Sequence, residues 1–268
     1  METFCRRINM QEEVTQKLLA IHGDPAFSPD LAPLTCRETW STGVEGLQQA
    51  LGEDPGGFKA LCCMLRCAMA AREIYDRLGI SEEIYYHTMG CFPRFLEEYR
   101  EIYGTYGFDK TSWTVRMVSC TLFRIGELEY ELVRQEDRPL ISIHIPSDAR
   151  LERPLLRQSW LRARQVLGRA FPEYAEAPMY CHSWLLSPVL KELLPAGSRI
   201  LTFQSGFDIH PMPNASLSFL RWIAKQPDTS PESIPENTSL QRALKAHLLQ
   251  GKEFPFGKGF LRRDPYLD

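Results

Sequence analysis

A chain of 268 residues with a formal net charge of −3 has room for one large domain or two ordinary ones, and carries no global basic field to draw nucleic acid or an anionic membrane. With 44% hydrophobic and 11% aromatic residues it can fill a sizeable core, which excludes a disordered tract. The partner class left is a small molecule or another protein, with nucleic acid and membrane set aside.

Residues 1–19 become charged before an apolar signal core can form. The longest apolar-rich stretch, 60–71, is too short for a bilayer and contains Arg66. A cytoplasmic location is the resulting expectation, with the eight cysteines as free thiols. The cluster Cys62-Cys63-Met64-Leu65-Arg66-Cys67 offers neither a CxxC pair nor a cysteine pair matched to a histidine pair, so no metal is expected there. Its helical periodicity makes these thiols small buried hydrophobes.

In chain order, Val14, Leu18 and Ile21 predict a helix over 11–21, and the Pro-, Asp- and Ser-rich residues 22–42 an irregular connection. Phe58, Leu61, Leu65, Ala68, Ile74 and Leu78 share one helical face, which Gly79 stops. Ser81 with Glu82 and Glu83 caps a helix over 80–88, and Phe95, Leu96, Tyr99, Ile102 and Tyr103 continue the pattern after Gly90 and Pro93. The period then changes. Residues 115–123 read as a strand, Ile125-Gly126 as a turn, 128–132 as a second strand and 140–145 as a third, after Asp137-Arg138-Pro139. A long amphipathic helix over 155–171 ends at Pro172. A strand over 179–186, a short helix over 188–194 and a fifth strand over 199–207 come next. Helices over 216–225 and 239–250 precede a tail, 253–268, with turn chemistry and little periodicity.

Several stretches carry a family likeness. They are Ile80-Ser81-Glu82-Glu83-Ile84 through Thr88-Met89; Leu122-Phe123-Arg124-Ile125-Gly126-Glu127-Leu128-Glu129-Tyr130-Glu131; Ile143-His144-Ile145-Pro146; Cys181-His182-Ser183-Trp184-Leu185-Leu186; and Phe203-Gln204-Ser205-Gly206-Phe207. On these residues, within about 61–219, the chain resembles bacterial acyltransferase-domain-containing proteins. Those proteins join an N-acyltransferase N-terminal helical domain to a GNAT-like C-terminal domain. The resemblance implies an α+β protein: a helical N-terminal domain over 1–107, then a GNAT-like α/β domain over 108–268 whose mixed sheet is flanked by helices. It also implies transfer of an acyl group from acyl-CoA, as co-substrate, to an amine.

In such a fold the strand ending at Ile145 and the strand over 179–186 would part, and thioester and amine would meet in the gap. His144 and His182 are the candidate acid–base residues, because aminolysis needs a base for the ammonium and a donor for the leaving thiolate. Cys181 is adjacent to His182, but strand neighbours point to opposite faces and make a poor nucleophile–base pair. GNAT enzymes cradle the CoA pyrophosphate in a Gly-rich turn between strand and helix. The corresponding residues 146–154 contain no glycine and two acids. Either Arg150, Arg153 and Arg157 replace the cradle with side-chain contacts, or the domain does not bind CoA. The second case describes a non-catalytic small-molecule-binding or regulatory protein that retains the fold. Arg164 continues the basic stripe, Glu127, Glu129 and Glu131 read as a solvent-facing strand side, and Trp160 and Trp184 as core. Gln204 and His210 flank the predicted fifth strand.

Overall fold

The structure is a computed structural model that describes residues 1–24, 26–213, 216–263 and 265–266. Pro25 of the predicted irregular segment, and Asp264, Leu267 and Asp268 of the predicted tail, lie outside the described residues. The chain divides into two compact units, Met1–Arg124 and Ile125–Asp268.

The first unit is helical: α1 (Glu2–Arg7), α2 (Glu12–His22), α3 (Trp40–Leu51), α4 (Phe58–Arg77), α5 (Glu82–Met89), α6 (Cys91–Tyr103) and α7 (Thr111–Val118). Its centre is α4, along which Leu61, Cys62, Cys63, Met64, Leu65, Cys67 and Ala68 are all buried. Burial pushes the Cys62 thiol up to about 11 and those of Cys63 and Cys67 to about 12, so the cluster stays protonated and packs as apolar volume. Buried tyrosines tie neighbouring helices to it: Tyr85 Oη donates to the Ala68 carbonyl at 2.8 Å, and Tyr75 Oη to that of Met117 at 3.1 Å. Ser81 caps α5 by accepting from the Ile84 N–H, as expected from Ser81-Glu82-Glu83.

Strand β1 (Leu122–Ile125) spans the boundary between the units. The second unit continues with β2 (Leu128–Gln135), β3 (Arg138–His144), α8 (Arg153–Ala170), β4 (Met179–Ser183), α9 (Leu190–Leu193), α10 (Arg199–Gln204), β5 (Phe207–Met212), α11 (Leu220–Ala224), α12 (Ser239–Leu249) and β6 (Phe256–Leu261). The six strands form one sheet in the order β1-β2-β3-β4-β6-β5. The β3–β4 pair is parallel, while β2–β3, β4–β6 and β5–β6 are antiparallel, which makes the sheet mixed. Glu136 and Asp137 both adopt positive φ, the mark of a two-residue hairpin turn that fixes the β2–β3 register. Helix α8 is the crossover that two adjacent parallel strands require. Ser159 fastens it to the sheet: its Oγ lies 2.9 Å from Tyr130 Oη and donates to the Ile125 carbonyl at 2.5 Å.

Three predicted elements differ. Residues 115–123 were expected as a strand, yet 115–118 complete α7 and only 122–125 are extended. A short apolar, β-branched run fits a buried helix turn as well as a strand, and Thr111 to Val118 bury four side chains in the helical state. Residues 199–204 are also helical: Ser198 caps α10 through the Ile200 N–H, and the strand begins at Phe207. The tail contains β6, inserted between β4 and β5. Its glycines removed the alternation that marks a strand. Gly257 is needed for close approach, since a Cβ there would sit 2.1 Å from the Leu186 carbonyl oxygen.

Gly257→Ala is therefore expected to force a backbone shift in an interior strand and to destabilise the protein by about 1–3 kcal/mol. Urea unfolding measures it; an unchanged midpoint would show that β6 and the turn at Leu186 are not packed this closely.

Candidate active site

Strands β3 and β4 share only two register pairs, Ile141↔Met179 and Ser142↔Tyr180. Beyond them β3 continues alongside β2, with Tyr130↔Ile143 and Glu129↔His144. Strand β4 instead continues alongside β6, with Cys181↔Gly259 and His182↔Lys258. Register pairing of the parallel strands thus ends before their C-terminal ends, which carry the two candidate histidines.

Register also fixes which side chains share a face. Ile141, Ile143, Met179 and Cys181 point one way and are buried. Ser142, His144, Tyr180 and His182 point the other way. His144 and His182 therefore stand on one face of the sheet, beyond the end of that pairing. Cys181 is on the far face, so a His144–Cys181 pair is excluded. Its thiol is fully buried and desolvation holds it well above the usual thiol range, which removes it as a nucleophile.

The two histidines are held differently. His144 is one-quarter exposed, and its Nε2 lies 2.8 Å from Glu131 Oε2. His182 is exposed, with its ring 5.9 Å from that of Phe256. Glu127, Glu129 and Glu131, expected as a solvent-facing strand side, are all buried. Glu131 engages His144 and Glu127 engages Arg150. Three acids alternating on an otherwise apolar strand were the available signal; burying carboxylates requires partners, and two of those partners were already candidates.

The turn between β3 and α8 is where the glycine-free segment was expected to lie. Glu127 organises it: Oε2 accepts the Arg150 backbone N–H at 2.9 Å, while Arg150 Nε and Nη2 donate to Oε1 at 3.1 and 2.8 Å. This bidentate pairing raises the Arg150 pKa above its ordinary value. A carboxylate thus occupies an N–H of the turn, and one edge of the Arg150 guanidinium is committed. Arg153 and Arg157, four residues apart, are exposed on the first turns of α8. Arg199, at the start of α10, lies 3.7 Å from Glu152 at the N-terminus of α8 and adds a fourth cation to that end. Sequence reasoning did not include it, because the proximity of α10 to α8 is set by tertiary packing.

Arg164 does not belong to the basic stripe. It is half-buried and donates from Nη1 to the carbonyls of Ala175 and Ala177, at 3.1 and 2.7 Å, which ties the end of α8 to the approach to β4. Gln204 is buried, with Nε2 donating to the Leu185 and Ser187 carbonyls at 2.9 Å each; this is a structural role. His210 is exposed on β5, across from Lys258. Trp184 stacks on Phe219 at 5.9 Å, against the small apolar core of α9, α11 and α12, as a core tryptophan should. Among the described residues no helix is long and apolar enough to cross a membrane.

A mixed sheet whose parallel strands stop pairing beside a strand–turn–helix is the arrangement of GNAT-like acyltransferases. Comparison with known proteins agrees: residues 122–261 match the family model of the GNAT-like C-terminal domain, and residues 1–120 that of the N-acyltransferase N-terminal domain. The chain belongs to the family of the GNAT-like C-terminal domain, preceded here by a match to the N-acyltransferase N-terminal domain. Among solved structures it is similar to an acyltransferase mutant in complex with octanoyl-CoA, with a TM-score of 0.82 and 23% identity over 96% of this chain and 86% of that one. It is also similar to an acyltransferase in complex with decanoyl-CoA and teicoplanin, with a TM-score of 0.71 and 21% identity over 97% and 98% of the two chains. A complex of an acyltransferase with CoA and 10C-teicoplanin gives a TM-score of 0.71 at 20% identity. No match is found among curated proteins.

The buried, protonated Cys181 is expected to resist alkylation by iodoacetamide in the native protein, whereas Cys36, which is partly exposed, is labelled. Peptide mass spectrometry reads both sites. Native labelling of Cys181 would reopen thiol chemistry at this site.

Proposed function

We propose that this protein is an N-acyltransferase that moves an acyl group from acyl-CoA to the amine of a small-molecule acceptor. The observation that carries the reading is the end of β3–β4 register pairing directly after Ser142 and Tyr180, with His144 and His182 on one face just beyond it. Strand edges that part expose backbone N–H and C=O groups, and these must find partners. The pantetheine arm of CoA carries two amides, so it can bond to such edges and deliver its thioester between them.

The reaction follows from the atoms. The acceptor ammonium loses a proton to His144, and its nitrogen attacks the thioester carbonyl. The C–N bond forms, the tetrahedral intermediate collapses and the C–S bond breaks. The departing thiolate takes a proton from His182, which recovers one from the nitrogen of the new amide, so CoA leaves as the thiol. No step requires a metal. Arg153 and Arg157 hold the CoA phosphates by charge-assisted contacts at the start of α8, with Arg150 contributing the guanidinium edge that Glu127 leaves. The acyl-CoA and teicoplanin complexes of the similar structures support the donor class and a small-molecule acceptor. A cytoplasmic, bacterial setting completes the reading; the net charge of −3 and the free thiols support its cytoplasmic part, and the family resemblance its bacterial part.

The glycine-free turn, with a carboxylate on its Arg150 N–H, favours one alternative: a binding or regulatory protein that keeps the fold without a working CoA site. Titration calorimetry with CoA and octanoyl-CoA separates the two. The proposal predicts saturable binding that weakens roughly tenfold in Arg153→Ala and in Arg157→Ala. It also predicts amine-dependent release of CoA thiol that His144→Ala slows by about 10²–10⁴-fold. No heat from a folded sample would establish the alternative.

A further inference from the structure

We propose that Glu131 is the positioning residue for His144: it takes the hydrogen of Nε2 and thereby makes Nδ1 the nitrogen that receives the acceptor's proton. The inference rests on the acyl-transfer reading and adds to it a residue and an atom.

Glu131 and His144 lie on adjacent strands and on one face, in diagonal register, since Glu131 pairs with Ser142 and Glu129 with His144. The 2.8 Å contact joins Nε2 to a carboxylate oxygen, and a carboxylate only accepts. Nε2 must therefore carry the hydrogen, and in the neutral ring the lone pair is on Nδ1. The two-residue turn at Glu136 and Asp137 locks this register, so the ring direction is built into the hairpin. Glu131 is buried, which makes the bond stronger than it would be in water and holds the carboxylate in place. When Nδ1 takes the proton, the ring becomes a cation whose other N–H already points at the Glu131 carboxylate. The positive charge formed during the reaction is thus met by a group fixed beforehand.

The experiment is nitrogen-15 NMR of histidine-labelled protein at a pH where the ring is neutral, with the His144 signal assigned by its loss in His144→Gln. The wild type is expected to show a protonated Nε2 and an unprotonated Nδ1. In Glu131→Leu the Nε2 hydrogen should exchange faster and the tautomers mix. Thiol release from octanoyl-CoA should then show kcat lower by on the order of tenfold or more, with KM for octanoyl-CoA unchanged. Glu131→Gln keeps an acceptor oxygen and should restore the tautomer and part of kcat. A wild-type ring protonated on Nδ1, or a Glu131→Leu variant with unaltered tautomer and kcat, would overturn the proposal. Full activity in His144→Ala would instead remove the base assignment, while the NMR comparison still decides whether Glu131 orients the ring.

Discussion

The register pairing between β3 and β4 stops after two pairs, and the acyl transfer proposed for this protein depends on that interruption. A continuous sheet would satisfy its own backbone and leave no edge for a ligand. Here β2 pairs with β3 on one side and β6 with β4 on the other, so each strand stays hydrogen-bonded where the β3–β4 pairing has ended. Rigidity matters because acyl transfer rewards placement of amine against thioester, and groups on strands are held more tightly than groups on loops. The close approach of β6 to the turn at Leu186 is possible only because residue 257 is glycine.

Two carboxylates arrange the electrostatics near the ends of β3 and β4. Glu127, in the turn before β2, bonds the segment that leads into α8, and Glu131, on β2, bonds His144. The first carboxylate replaces, from within the protein, one contact that a phosphate would make in a glycine-rich turn. The cations beyond it, Arg153, Arg157 and Arg199, are gathered where α8 and α10 begin, and anions are favoured at such helix starts. The phosphate recognition proposed above is built on long side chains instead of backbone N–H groups, which trades preorganisation for reach.

Much of this was legible in the residues. The periodicity of Phe58, Leu61, Leu65 and Ala68, the capping at Ser81 and the alternation over 128–132 and 140–145 correspond to α4, α5, β2 and β3. His144 and His182 were named from their places on two strands, and the register puts them on one face. What failed did so for physical reasons. Residues 199–204 form a helix, a state that a short apolar run does not distinguish from a strand, and 256–261 form a strand whose inner positions are glycines. The partners of Glu127 and Glu131 depend on where a hairpin turns by a single residue. The predicted turn at Asp137-Arg138-Pro139 missed Glu136, and with it the register that brings Glu131 to His144.

On the proposed function, acyl-CoA enters between β3 and β4. Hydrogen–deuterium exchange of the protein with and without octanoyl-CoA tests it directly. Entry there gives new protection in residues 143–157 and 181–183 and leaves α11 and α12 unchanged. Protection confined to other segments, with the edges of β3 and β4 exchanging as before, would contradict it.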